Sequence, residues 1–141
     1  RKPWEVQCDI AMPSAIQNEI NEKDAEMLID NDCKFIVEAA NMPCTEEAIK
    51  LFNDKLVVVA PSKAVNAGGV AVSALEMRQN AGWDKWNFPQ VDNKLRTIMK
   101  QIHVSCLKHA RKYGTEGDYT LGANVGGFLR VARAAIAHGI I

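Results

Sequence analysis

The sequence PSKAVNAGGVAVSALEMRQN, residues 61–80, decides how the rest of the chain is interpreted. It directly follows the apolar run 56–60. The pattern predicts the end of a buried strand, then a turn over residues 66–69, then a helix from about Val70. The two adjacent glycines in that turn would let the backbone take positive φ and let another group approach closely, because neither carries a Cβ.

Such a strand, turn and helix predict a binding site for an anion. The first amides of a helix have no partners within the helix and form the positive end of its dipole. If the helix begins near Val70, these amides and the Ser73 hydroxyl would together suit a carboxylate or a phosphate. The alternative is that Gly68 and Gly69 only form a turn and that Ser73 is a satisfied helix hydroxyl, since glycines near helix ends are common.

Upstream of this stretch, predicted strands and helices alternate. Apolar runs predict strands over residues 6–10, 34–39 and 56–60, with a helix over 22–31 and a second helix capped by Thr45 between them. The third run, LVVVA, is apolar on both faces, which is typical of a parallel sheet covered by helices. The predicted fold class is therefore α/β, with the later half of a Rossmann-like doubly wound parallel sheet (β-α-β-α-β).

Downstream, the pattern becomes helical. We expect a connecting loop anchored by tryptophans over 81–90, a long amphipathic helix over 91–113 and a last helix over 120–138. The glycines of the last helix do not form the dinucleotide fingerprint, which follows a strand directly, so we expect them to allow close packing. The chain is accordingly divided into half of a dinucleotide-binding domain, residues 1–69, and helices that lead back to a substrate domain, residues 70–141.

Polar side chains are expected at one edge of the predicted sheet. Ligands of doubly wound sheets bind beyond the carboxyl ends of the strands, so the loops after the three strands should face one crevice. These loops carry Asp9 and Ser14, then Asn41, then Asn66. We interpret Asp9 as mostly structural, a strand-end carboxylate that satisfies loop amides.

Composition excludes several classes of function. The 141 residues carry 17 basic and 17 acidic side chains, so a basic face for nucleic acid is not expected. No apolar stretch reaches the roughly 20 residues of a membrane span. The four cysteines are scattered and the three histidines dispersed, which favours a reducing compartment and predicts no metal site. The chain begins without methionine and reads as a piece of a longer protein.

Five stretches, in order along nearly the whole chain, resemble glutamate dehydrogenase, most closely its small-subunit hexameric, usually NADP-dependent class. They are CDIAMPSAIQNE (8–19), EAANMPCT (38–45), APSKAVNAGGVAVSALEM (60–77), VDNKLRTIM (91–99) and GANVGGF (122–128). Cys44 departs from the threonine often found at that position in the family.

The resemblance implies roles for six residues. Asn41, Asn66, Ser14 and Ala15 would bind the cofactor, with Asn41 near the nicotinamide ribose and Asn66 near the nicotinamide carboxamide. Val70 and Ser73 would contact the side chain of glutamate, and the Ser73 hydroxyl would reach its distal carboxylate.

The resemblance also implies what the parent protein does. It would reversibly deaminate L-glutamate to 2-oxoglutarate and ammonium with NADP, NAD not being excluded, as a cytoplasmic homohexamer. The family's catalytic lysine and aspartate lie earlier in a full-length chain, so we expect no catalytic residue here, and an inactive chain without the remainder of the protein. Two alternatives stay open: a leucine, phenylalanine or valine dehydrogenase, and a non-catalytic interaction module.

Overall fold

The computed structural model describes residues 2–140, which form three short strands and six α-helices. The strands are β1 (Ile10–Ala11), β2 (Phe35–Val37) and β3 (Val58–Ala60). The helices are α1 (Glu22–Asp30), α2 (Glu46–Asp54), α3 (Ser62–Val65), α4 (Ala67–Gly82), α5 (Phe88–Tyr113) and α6 (Tyr119–Ala137), and a single 3₁₀ turn (Pro3–Glu5) precedes β1. Among the described residues, no helix is both long and apolar enough to cross a membrane.

The three strands form one parallel sheet in the order β1-β2-β3. Ile10 lies beside Phe35, and Phe35 lies beside Val58. Helix α1 connects the first two strands and α2 the last two. This confirms the predicted β-α-β-α-β arrangement and the helices that follow it, although each strand is shorter than its apolar run.

Both crossover helices pack on the same face of the sheet. The buried strand residues Ile36 and Val59 join Leu28 of α1 and Phe52 of α2 in one core. On the other face the side chains of Phe35 and Val58 are 43% and 38% exposed. The expectation that β3 would be covered on both faces is therefore wrong within residues 2–140, because Val58 stays partly exposed on the face opposite α1 and α2.

Short polar side chains fix the starts of the two crossover helices. Thr45 accepts a hydrogen bond from the amide of Ala48 at 3.3 Å, as its predicted role as a cap requires. At the start of α1, Asn21 and Asp24 exchange side-chain and backbone hydrogen bonds in a capping box.

The helical half is held together by close contact between α5 and α6. A Cβ added at Gly122 would lie 2.1 Å from the carbonyl oxygen of Cys106, so the α6 backbone rests directly on α5. This confirms the predicted packing role for Gly122, whereas it is wrong for Gly127, where an added Cβ would meet no heavy atom within 4 Å. Helix α6 also packs against β3, and α3 against α5, which joins the helices to the sheet.

The connection between α4 and α5 is shorter than expected. Helix α4 continues through Gly82 and α5 begins at Phe88, so residues 83–87 alone form the loop. Trp86 lies between two cations, with Lys94 Nζ 4.8 Å and the Arg78 guanidinium carbon 6.0 Å from its ring centre. Trp83 is almost fully exposed and anchors nothing in the described part of the chain.

Candidate functional site

The loops that follow the three strands are tied to one another at the carboxyl edge of the sheet. The carbonyl oxygen of Pro13 accepts hydrogen bonds from the amides of Ala39 and Ala40, both at 3.0 Å. The Glu38 carboxylate accepts a hydrogen bond from the amide of Ser62, also at 3.0 Å. The edge therefore has a fixed shape built from three separate segments of the chain.

A cleft of about 600 Å³ opens between these loops. Its lining consists of small and polar residues from all three segments: Ser14, Ala15, Ile16, Gln17, Ala39, Ala40, Asn41, Asn66 and Val70. Five of the six residues with predicted binding roles lie together there, and Ser73 does not. The structure places these five residues next to one another, and their binding roles are still predictions.

Two asparagine side chains in the lining of the cleft contact each other. Asn66 Nδ2 donates a hydrogen bond to Asn41 Oδ1 over 2.5 Å. The Asn41 amide nitrogen and the Asn66 amide oxygen make no hydrogen bond to another residue of 2–140. The pair thus leaves one donor and one acceptor without a partner among residues 2–140, and a primary carboxamide or a pair of hydroxyls could satisfy both.

The loop after β1 forms one wall of the cleft, and two of its backbone amides donate hydrogen bonds to a side chain of the same segment. Ser14 Oγ donates to the carbonyl of Met12 at 2.9 Å. The Glu19 carboxylate accepts from the amides of Ala15 at 2.9 Å and Ile16 at 3.4 Å. Ala15 therefore contributes a small, rigidly held surface, and Ser14 keeps lone pairs that can accept a hydrogen bond from a ligand.

The double glycine is helical, contrary to the predicted bend. Helix α4 begins at Ala67, and the described glycines with positive φ are Gly117 and Gly139. The break in the chain falls at Asn66 instead, which ends α3 and precedes α4 with φ −86° and ψ 0°. The first amides of α4 are those of residues 67–69, and the predicted set of unpaired amides from Val70 onward is wrong.

The two glycines of α4 have different surroundings. A Cβ on Gly68 would meet Leu95 of α5 at 3.4 Å, so this glycine lies at the packed interface between α4 and α5. A Cβ on Gly69 would have no heavy atom within 4 Å. Gly69 leaves open space on the side of α4 that faces away from α5.

Ser73 lies one helical turn beyond the edge of the cleft. Asn66, Val70 and Ser73 are four and three residues apart, so they share one face of α4. Val70 is 72% exposed on this face, and Ser73 is exposed as well. The Ser73 hydroxyl has no hydrogen-bond partner among residues 2–140.

Asp9 lies at the opposite edge of the sheet from the cleft. It precedes β1, and its carboxylate accepts a hydrogen bond from Lys34 Nζ at 2.6 Å. This hydrogen bond, with the charge of Lys34, lowers the pKa of Asp9. The prediction that the Asp9 carboxylate satisfies loop amides of the crevice is wrong: within residues 2–140 it forms an ion pair with Lys34 at the amino ends of the strands. The cleft there, about 840 Å³, contains none of the predicted site residues.

The part that Glu38 plays was not predicted from the sequence. This residue directly follows β2 and is only 7% exposed, and its carboxylate accepts the hydrogen bond from Ser62. The Cys44 thiol lies beside Glu38. Burial is the main cause that raises the pKa of this thiol, and the charge of Glu38 is the second. An acid immediately after a buried strand was the available signal, since such a carboxylate requires a partner. No cluster of three or more metal-ligating side chains occurs within residues 2–140.

Comparison with known proteins gives consistent matches along the whole chain. The model of the family described as Glutamate/Leucine/Phenylalanine/Valine dehydrogenase matches residues 1–139. The chain is 55% identical to the NADP-specific glutamate dehydrogenase of Psychrobacter sp. and 52% identical to the NAD-specific glutamate dehydrogenase of Bacteroides fragilis, in each case over 100% of this chain and 32% of the relative.

Solved structures agree with these sequence matches. Glutamate dehydrogenase 2 of Plasmodium falciparum superposes with a TM-score of 0.94 at 48% identity, covering 100% of this chain and 31% of that one. The chain therefore spans about a third of the length of the proteins it matches.

Proposed function

The chain belongs to the glutamate/leucine/phenylalanine/valine dehydrogenase family, and on this premise we propose that it is the C-terminal part of an NADP-dependent glutamate dehydrogenase. The parent protein would reversibly convert L-glutamate to 2-oxoglutarate and ammonium. The segment described here would help to hold the nicotinamide ring against the substrate. The catalytic lysine and aspartate are expected in the remainder of the parent, so this chain alone should not oxidise NADPH.

The observation that carries the proposal is the pair formed by Asn41 and Asn66. It lies beyond the carboxyl ends of parallel strands, where doubly wound sheets bind nucleotides. The free amide nitrogen and oxygen of the pair match the carbonyl and NH₂ of a nicotinamide carboxamide. The cofactor supplies the hydride chemistry, and these side chains would bind and orient its ring.

The exposed face of α4 supports glutamate as the substrate. Val70 offers an apolar surface for the methylene groups of the substrate side chain. One turn further, Ser73 offers a hydroxyl with no hydrogen-bond partner within the described residues. A hydroxyl that hydrogen-bonds a carboxylate discriminates strongly against substrates that lack one, because the polar group is then left unpaired.

Similar proteins support NADP as the cofactor, with NAD as the alternative. Relatives of comparable identity are named NADP-specific, NAD-specific and NAD(P)-specific glutamate dehydrogenase. We also propose a cytoplasmic homohexamer for the parent. The division into a cofactor half, 1–69, and a returning helical half, 70–141, stays a proposal; its boundary falls within the first turn of α4.

The test is a Ser73→Ala substitution in the full-length protein that carries this segment. Removing a hydrogen bond to a charged group should raise the KM for glutamate roughly 10- to 100-fold and leave the KM for NADPH within about twofold. Ser105→Ala is the matched control, because it removes a serine hydroxyl from helix α5, outside the cleft lining. It should leave both KM values unchanged.

Three outcomes would contradict the proposal in different ways. Equal increases in the KM values for glutamate and NADPH would mean that Ser73 does not contact the substrate specifically. A wild-type preference for leucine, phenylalanine or valine would favour the other substrates named in the family description. No dehydrogenase activity of the full-length protein with any of these amino acids would favour a non-catalytic interaction module.

A further inference from the structure

Glu38 serves as the N-terminal cap of a helix from another segment of the chain. Helix α3 begins at Ser62 after Pro61, which provides no side-chain cap. The Glu38 carboxylate, projecting from the residue after β2, accepts the hydrogen bond of the Ser62 amide at 3.0 Å. The Glu38 backbone amide continues the sheet by donating to the carbonyl of Ala60 at 3.1 Å. Side chain and backbone of one residue thus fix both ends of the β3–α3 connection.

This hydrogen bond is one of two that join the loop after β2 to helix α3 and the residue that follows it. Glu38 contacts Ser62 at the start of α3, and Asn41 contacts Asn66 at its end. The partners are three residues apart in the loop and one helical turn apart in α3. The hydrogen bond between Glu38 and Ser62 therefore sets the position and direction of α3. It thereby sets where the side-chain amide of Asn66 meets that of Asn41.

The surroundings of Glu38 leave its side chain little freedom. It is 7% exposed, and the buried Cys44 thiol lies beside it. A carboxylate with this degree of burial requires hydrogen-bond donors, and the Ser62 amide supplies one. Because the cleft lining does not include Glu38, the residue acts on the cleft only through the segments that it joins.

We propose that Glu38 is a positioning residue for nicotinamide binding: by capping α3 it aligns Asn66 with Asn41 before the cofactor arrives. The inference rests on the proposed function, since it assumes that this asparagine pair binds the nicotinamide end of NADPH. It assigns no contact between Glu38 and the cofactor.

Two single substitutions in the full-length protein remove the same hydrogen bond from opposite sides. Glu38→Ala removes the acceptor. Ser62→Pro removes the donor at the first residue of α3, where proline is tolerated, and Pro61 already has the extended backbone that a following proline requires. Each should raise the Kd for NADPH about tenfold, the effect of one hydrogen bond to a charged group. The KM for glutamate should stay within about twofold.

Two comparisons separate positioning from general stability. Glu38→Gln keeps an acceptor oxygen for the Ser62 amide and should restore NADPH binding to within about threefold of wild type. The double variant Glu38→Ala with Ser62→Pro should bind NADPH no worse than either single variant, because both remove one interaction. A purely structural role would instead lower the active fraction of each variant and leave its Kd for NADPH at the wild-type value.

The inference is overturned if Glu38→Ala binds NADPH within twofold of wild type, or if the two single effects multiply in the double variant. Should Glu38→Ala not fold, Ser62→Pro and Glu38→Gln test the same hydrogen bond from the donor and acceptor sides, and wild-type binding by Ser62→Pro would then overturn it. If the wild-type protein itself does not bind NADPH, the proposed function fails instead, so the two failures are distinguishable.

Discussion

Replacing Gly122 with alanine should destabilise the protein, whereas the same change at Gly127 should stabilise it. Both glycines lie within α6, so each substitution gains about 1 kcal/mol of helix propensity. A Cβ on Gly127 would have no heavy atom within 4 Å, and nothing offsets that gain. A Cβ on Gly122 would lie 2.1 Å from the carbonyl oxygen of Cys106 and 2.7 Å from its carbonyl carbon.

The size of the Gly122 effect follows from these distances. Carbon and oxygen atoms approach to about 3.3 Å, so α5 and α6 would have to separate locally by roughly 1 Å. The contact is with backbone, which cannot move aside as a side chain can. Overpacking of this kind costs up to about 3 kcal/mol, so after the propensity gain the net loss should be about 2 kcal/mol. The two variants should therefore differ by about 3 kcal/mol.

Urea denaturation of the chain, followed by far-UV circular dichroism, measures this difference. The midpoint should fall for Gly122→Ala and rise for Gly127→Ala, with similar slopes in both variants. Equal midpoints would refute the reasoning, because they would mean that the Cys106 carbonyl does not limit the approach of α6. A lower midpoint for Gly127→Ala would show that its side of α6 is covered.

Two further changes test contacts in the sheet half. Asp24→Ala should lower the free energy of unfolding by about 2 kcal/mol, because it removes a capping-box acceptor that is 1% exposed, together with the ion pair to Lys2. Lys2→Met removes only the ion pair between the half-exposed Lys2 and the buried Asp24 carboxylate and leaves the cap in place, so it should cost less than Asp24→Ala by the same urea assay, and equal losses would argue against the cap. In the native protein, iodoacetamide at mildly alkaline pH should modify Cys8 well before Cys44, as mass mapping of the peptides would show. Burial and the charge of Glu38 raise the pKa of Cys44 and keep it protonated, so its labelling should increase as the pH rises, and rapid labelling of Cys44 would contradict its placement.

The raised pKa of Cys44 also has a consequence for stability. The folded protein retains the Cys44 proton at alkaline pH values where the unfolded chain releases it. The folded state then binds more protons, so this contribution is fully present below the ordinary thiol pKa and decreases as the pH rises above it.

Local signals in the sequence were sufficient for the three strands, the two crossover helices and the long helices that follow, but not for the short helix α3, where a strand end and a turn were predicted. Apolar runs separated by amphipathic stretches specify strands and helices through side-chain periodicity alone, and the Thr45 cap follows from a hydroxyl directly before two acids. The same holds for the cleft at a coarse level. Because loops after parallel strands meet at one edge, the sequence predicts that Asn41 and Asn66 lie near each other, as they do.

Contacts between distant segments decided the rest. Whether Gly68 bends the chain or continues a helix depends on the end of α3 at Asn66 and on the approach of α5, and neither is encoded within the GG dipeptide. Likewise, β1 begins only at Ile10, which places Asp9 before it beside Lys34, and β2 ends at Val37, which leaves Glu38 to cap α3. Sequence patterns reflect the conformational preferences of residues that are neighbours along the chain. The contacts of Gly68, Asp9 and Glu38 are set by packing between segments that are distant in sequence, and a local pattern does not contain that information.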